Sequence, residues 1–358
     1  MRSTIARLVA LILVVSACSV AASEPTTTTT VPSTTTTTTT PTSTSTTSTI
    51  SSTVAELDTS PINGLGVEDG SLLDRGVLAV KVDNHPLANP QSGIDKADMV
   101  IELMVEGVTR FITIWHHSDS DYLGPTRSGR PTDPTLLQAF NEPTFFISGA
   151  QPWVQRLIAG KGVNLLGESS DGAFRISGRR APHNLYVDTF RLRETAASRG
   201  LPSNPLDGDI WPFGPLPAAA ETASEVTINF SGTTVIWTWD ATGGLWLRTA
   251  YGADGTYRNE DGTEGRVGVP VLVALYTDQY SAGPPSGQSG SSLPASRTTG
   301  SGTAFVFADG KVVEGTWERE SETDWFRLSS GDGTTITVPA GQVWVSLVPA
   351  SRGLSIES

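Results

Sequence analysis

Val77-Leu78-Ala79-Val80-Lys81-Val82 is an apolar, β-branched run that ends in Asp83-Asn84-His85-Pro86, the pattern of a strand entering a polar loop. Residues 99–105 and 109–115 are two more such runs around Glu106-Gly107-Val108 and predict a hairpin, although Glu102 and Glu106 also fit one helix face. On a strand, the period of two places Glu102, Met104 and Glu106 on the same side. Three short helices are predicted next. Asp133 caps the first, with Pro134 in its first turn ahead of Leu136, Leu137 and Phe140; Pro152 opens the second, closed by Gly160; Asp188 caps the third, closed by Gly200. Strands mixed with helices over residues 61–205 imply an α+β domain.

After a Pro/Gly/Asp-rich stretch, with a linker placed at residues 206–224, the pattern becomes β throughout. Apolar or alternating runs fall at 226–230, 234–239, 245–250, 269–276, 303–307, 312–317, 324–328, 335–338 and 343–348, and predict a mainly antiparallel all-β module over 225–349 with a tail at 350–358. Thr242-Gly243-Gly244, Ala308-Asp309-Gly310 and Gly331-Asp332-Gly333 supply the positive-φ positions that hairpins need. Alternation puts Trp237 and Trp239 on one face, with Trp246 able to pair across to either. Exposed, these rings would make a sugar-stacking platform; packing in a core is the commoner use of such residues.

The start of the chain is different. Arg2 and Arg7 precede a short apolar run, and small residues lead to Val15-Ser16-Ala17-Cys18, which reads as an export signal over residues 1–18. A lone Cys at that point looks like a bacterial lipobox, making Cys18 the expected lipidation site. Of the 28 residues 26–53, 18 are Thr and 6 are Ser, so nothing there can form a core, and residues 19–60 are expected to be a disordered tether. The expected location is extracytoplasmic, lipid-anchored to the outer face of the cytoplasmic membrane. With Cys18 the only Cys, a disulfide framework, a Cys zinc site and a Cys nucleophile in the body are excluded. A net charge of -13, from 24 basic against 37 acidic residues, argues against a nucleic-acid partner.

Several motifs now carry a resemblance. Val80-Lys81-Val82-Asp83-Asn84-His85-Pro86 with Pro90-Gln91-Ser92-Gly93, Ala97-Asp98-Met99-Val100 leading to Arg110-Phe111, Gly124-Pro125-Thr126-Arg127-Ser128-Gly129-Arg130, and Arg180-Ala181-Pro182-His183-Asn184-Leu185-Tyr186 resemble the YerB-like lipoprotein family. Gly300-Ser301-Gly302-Thr303-Ala304, Asp309-Gly310-Lys311, Gly315-Thr316-Trp317 and Gly341-Gln342-Val343-Trp344 resemble its C-terminal module. The resemblance implies a layered α/β N-terminal module and attachment outside the cytoplasm, and brings no established reaction or catalytic residue. The Ser/Gly/Pro-rich residues 281–302 look long for the family.

The candidate chemistry sits in the first half. His85, His116, His117 and His183 lie there beside Asp83, Asp98, Glu102 and Glu106, but no HExxH or HxH pair occurs, so neither a metal nor a cofactor is expected. Arg110, Arg127, Arg130, Arg175, Arg179 and Arg180 cluster in a chain with four lysines. Guanidinium forks match carboxylate or phosphate. The candidate ligand-binding set is therefore Asp83, Asn84, His85, Glu102, Arg110, Arg127, Arg130, Arg180, His183 and Asn184, lining a cleft for an anionic cell-wall polymer, with an envelope protein as the other class of partner. The competing reading is a buried structural network in which Arg110, Arg127 and Arg180 pair with Asp98, Glu102 and Glu106. Ser128 is no nucleophile elbow, while Glu102 and Glu106 on one strand face would allow a glycosidase pair. Non-catalytic binding is preferred over an envelope hydrolase.

Overall fold

The computed structural model describes residues 57–358; Cys18, the expected export signal and residues 19–56 of the expected tether lie outside the described residues, whereas the last residues of that expected tether are structured, Asp58–Thr59 pairing with Gly66–Val67 and Ser60 being buried. The chain is mostly β. In order, the main elements are β1 (Leu78–Asp83), β2 (Met99–Met104), β3 (Thr109–Trp115), α1 (Thr132–Leu137), β4 (Thr144–Phe146), α2 (Pro152–Gly160), β5 (Asn164–Leu166) and α3 (Thr189–Ser198). There follow β6 (Glu225–Asn229), β7 (Thr234–Asp240), β8 (Leu245–Ala250), β9 (Val271–Thr277), β10 (Gly300–Ala308), β11 (Lys311–Arg319), β12 (Val343–Pro349) and β13 (Leu354–Glu357).

An eleven-stranded sheet forms the middle layer, and its path β11-β10-β9-β12-β2-β3-β1-β4-β5 crosses from one half of the sequence to the other. The join is β12. It runs parallel to β9, Val343 facing Val271, and parallel to β2, Val343 facing Met99. Strands β1 and β12 are buried along their whole length because both faces of the sheet are covered, which explains their unbroken apolar runs. Ala79, Ile101 and Ile112 face one side and pack with Leu136, Phe140, Val154 and Trp211 around α1 and α2. Val80, Val100 and Phe111 face the other, where they meet Leu192 of α3 and the inner side of a second sheet.

That second sheet has six strands, with β8, β7, β6 and β13 side by side. Its burial alternates, as in β6, where Val226 and Ile228 point inward between half-exposed neighbours. Trp237 and Trp246 are fully buried and Trp239 packs half-buried beside them, so these rings belong to the core. Within residues 206–224 Trp211 is also buried, its indole N–H donating to the Phe326 carbonyl at 2.8 Å.

The helices start where the cap chemistry predicts, with one change. The Asp188 carboxylate accepts from the Arg191 N–H and caps α3. Asp133 does not cap α1. It sits inside the first turn, and its carboxylate is taken by other partners.

Candidate functional site

Strand β1 delivers Asp83 at its C-terminal end, where its carboxylate is buried and collects the groups around it. His183 Nδ1 lies 2.8 Å from Oδ2, and because a carboxylate only accepts, that nitrogen carries the proton. Oδ1 accepts the His85 N–H at 3.0 Å. Arg127 Nε stands 3.4 Å from Oδ2, an ion pair without hydrogen-bond alignment. The imidazoles of His85 and His183 stack at 5.1 Å with 19° between planes. His85 Nδ1 accepts the Leu87 N–H, so its Nε2 bears the proton when the ring is neutral.

Two residues back on the same strand face, Lys81 forms a 2.6 Å ion pair with Asp133 of α1, both side chains wholly buried. Burial pulls the Lys81 ammonium down to about 8, against the opposing pull of Asp133. Arg110, opposite Asp83 on β3, donates to the Ser128 carbonyl at 2.7 Å. Burial, helped by the Arg130 charge, lowers it to about 10. The Arg130 N–H donates to Asp133 at 2.7 Å, while its guanidinium grips Glu106 at the exposed end of the β2–β3 hairpin. Partial burial works against ionisation of Glu106, but the Arg130 hydrogen bonds and charge outweigh it and hold the carboxyl below its usual range. Four cations, Lys81, Arg110, Arg127 and Arg130, thus share three carboxylates, Asp83, Asp133 and Glu106. Arg127 remains about a quarter exposed and Glu106 about two-fifths exposed.

The structure brings Asp83, His85, His183, Arg127, Arg110 and Arg130 together and separates the other expected residues. Glu102 lies on the opposite face of the sheet. It accepts from Thr109 at 2.6 Å, from Arg248 at 2.6 Å and from the Trp344 indole at 3.1 Å, all buried. The strand ends at Met104, so the expected alternation does not carry through to Glu106, which turns outward to Arg130. Glu102 and Glu106 therefore form no catalytic pair. Asn84 joins the Glu102 side: its amide donates to Thr109 at 2.7 Å and accepts from Gln91 at 3.1 Å. Asn184 accepts from Arg175, which also pairs with Glu168. The Arg180 side chain is exposed, while Arg179 donates to the carbonyls of Ala88 and Pro90.

The proposed partners of the arginines also change. Asp98 accepts the N–H groups of His116 and His117 and pairs with the His117 ring at 3.1 Å rather than holding an arginine. Among the described residues no three His, Cys, Asp or Glu side chains converge as a metal site. Two charged groups escaped the sequence reading. Lys81 had a signal, a lone ammonium inside an apolar strand, which demands a buried counter-ion. Arg248 had none, because its half-alternating strand matches many solvated ones.

Two family descriptions match the chain: the N-terminal domain of DUF3048, a protein family of unknown function, over residues 63–202, and its C-terminal domain over residues 226–345. YerB of Bacillus subtilis (strain 168), named as a lipoprotein, is 27% identical over 312 residues, spanning 83% of this chain and 88% of that one. The crystal structure of the Bacillus subtilis YerB protein superposes with a TM-score of 0.70 at 24% identity, covering 84% of this chain and all of the other, which establishes the shared fold. The chain belongs to the DUF3048 family of YerB-like proteins.

Proposed function

We propose that this protein is a lipid-anchored component of the cell envelope that binds an anionic ligand, without transforming it, at the surface formed by Arg127, Arg130 and His183. The anchor rests on Cys18 behind Val15-Ser16-Ala17, and the name of its relative YerB as a lipoprotein supports it. No helix among the described residues is long and apolar enough to cross a membrane. The first half would act as a layered α/β scaffold for the site.

The observation that carries the binding reading is the surplus of one positive charge at the Asp83 cluster in a chain of net charge -13. Arg127 is half-satisfied and reachable, and the largely buried Arg130 is reached through its pair with the more exposed Glu106, whose carboxylate a ligand phosphate or carboxylate would replace. Envelope polymers with backbone phosphates or carboxylates fit that chemistry. A hydrolase reading loses its acid–base pair once Glu102 is buried against Arg248.

Titration of the full chain with poly(glycerol phosphate) tests this. Binding should weaken as salt rises, and Arg127→Ala should weaken it by about tenfold while the melting temperature stays near that of the parent, since Arg127 makes one long ion pair. Equal affinity in the parent and in an Arg127→Ala/Arg130→Ala variant would reject this surface.

A further inference from the structure

We propose that a cavity on the opposite side of the central sheet is a second binding site, made for a small neutral ligand that carries a secondary amide. The cavity is about 320 Å³, within the size of small-molecule sites at roughly 300–1,000 Å³. One wall is the 86–94 segment; the other is the turn after β8, and the floor is Phe111 and Trp344.

Two buried polar residues line this space and keep hydrogen-bonding capacity to spare. Arg248 is 4% exposed and spends one Nη2 bond on Glu102, but its Nε–H has no partner among the described residues. Its guanidinium is held flat by Phe111 at 5.3 Å and Trp344 at 5.5 Å, so the unused donor has a fixed direction. Gln91, 3% exposed, donates through its amide nitrogen to the Asp83 carbonyl and to Asn84. Those bonds fix the amide's orientation, and among the described residues nothing donates to Gln91 Oε1. One fixed donor and one fixed acceptor complement the C=O and N–H of an amide. The aromatic floor suits an acetyl methyl group or a sugar face.

Charge selects for a neutral ligand. Arg248 is already balanced by Glu102 at 2.6 Å, so a carboxylate would add an unmatched charge beside Glu102, and a cation would meet Arg248. The wall itself is built at a conformational expense. Tyr251 has φ 55° and Gly252 φ 72°, and position 251 of this two-residue turn normally takes Asn, Asp or Gly. The tyrosine is kept there with its hydroxyl donating to the Asn84 carbonyl at 3.0 Å, which ties the turn to the backbone just ahead of the 86–94 wall.

Amide ligands have two sources, N-acetylated sugars and peptides, and the experiment separates them. The full chain is titrated calorimetrically with N-acetylglucosamine, with N-acetylalanine N′-methylamide, and with glucose as the amide-free control. Binding of either amide with no binding of glucose supports the site, and the preferred probe names the source. Arg248→Lys keeps the charge against Glu102 but removes the Nε–H, and should weaken binding by about tenfold, the order of a lost hydrogen bond to a charged donor. Ala253→Trp, at an exposed position on the cavity's edge, should abolish binding without lowering the melting temperature. Arg127→Ala should leave amide binding unchanged, separating this site from the anionic surface. No heat from either amide up to ~10 mM, affinity far below that of ordinary small-ligand sites, would overturn the proposal. Glucose binding as well as the amides, or full binding by Ala253→Trp, would do the same.

Discussion

Two charged clusters hang from the same β2–β3 hairpin, one on each face of the central sheet, and they have opposite characters. On the α1 side, Lys81, Arg110, Arg127 and Arg130 outnumber their carboxylates and reach the surface through Arg127 and the Arg130–Glu106 pair. On the other side, Glu102 and Arg248 form a single balanced pair sealed under Trp237 and Trp344. Neighbouring residues serve different clusters: Asp83 belongs to the first, and Asn84, next in sequence, bonds to Thr109 and so to Glu102 in the second. Strand parity, rather than proximity along the chain, decides which chemistry a side chain joins. The first cluster has the free capacity to exchange partners; the second is a fixed structural pair whose spare donor belongs to a residue lining the cavity beside the turn after β8.

This contrast is broken most severely at Glu102. Glu102→Ala removes the acceptor of three buried donors and leaves the Arg248 charge unpaired, so a loss of about 3–5 kcal/mol is expected, read as a fall in the denaturation midpoint. A change below ~1 kcal/mol would mean that Arg248 is solvated, and the sealed character assigned to this face would be wrong. Next in size is Lys81→Met, which preserves volume but strands Asp133. It should lose most of the same amount, and Lys81→Met/Asp133→Leu should recover much of it, since an apolar pair of similar bulk commonly matches a buried ion pair. Combined with Glu102→Ala the losses should add to within ~0.5 kcal/mol, because the two pairs share no partner.

Much of the architecture is readable along the chain. Residues 109–115 form the strand that their pattern predicts, and the 77–82 run is shifted by one residue to Leu78–Asp83. The apolar run at 335–338 makes only isolated bridges, at Thr335 and Val338, because Ile336 and Val338 pack as a loop against the core. Three-residue strands such as β4 and β5 are too short to show any period. Nothing local announces that β12 returns to lie between β9 and β2, since parallel pairing over such a distance leaves no mark beyond an unbroken apolar run. The candidate site was legible where residue type dictates partnership, as with Asp83, His183 and the arginines around them. It was illegible where a contact depends on which face of which sheet a residue meets, and Glu102 with Arg248, 146 positions apart, is that case.

The finest distinction between the faces is a proton. Lys81 in the folded chain titrates near 8, depressed chiefly by burial, whereas a solvated lysine titrates near ~10.4. Below the lower value both folded and unfolded chains hold the proton, and the full burial penalty opposes folding. Between the two values the folded chain has released a proton that the unfolded chain still binds, so a rise in pH favours the folded state, by at most ~1.4 kcal/mol per pH unit. The stability of the parent relative to Lys81→Met/Asp133→Leu should therefore improve between pH ~7.5 and ~9.5. A parent-to-Lys81 difference that stays flat across that interval would show Lys81 to be titrating like a solvated amine, and the α1-side cluster would then be open to water down to its base rather than only at Arg127 and Glu106.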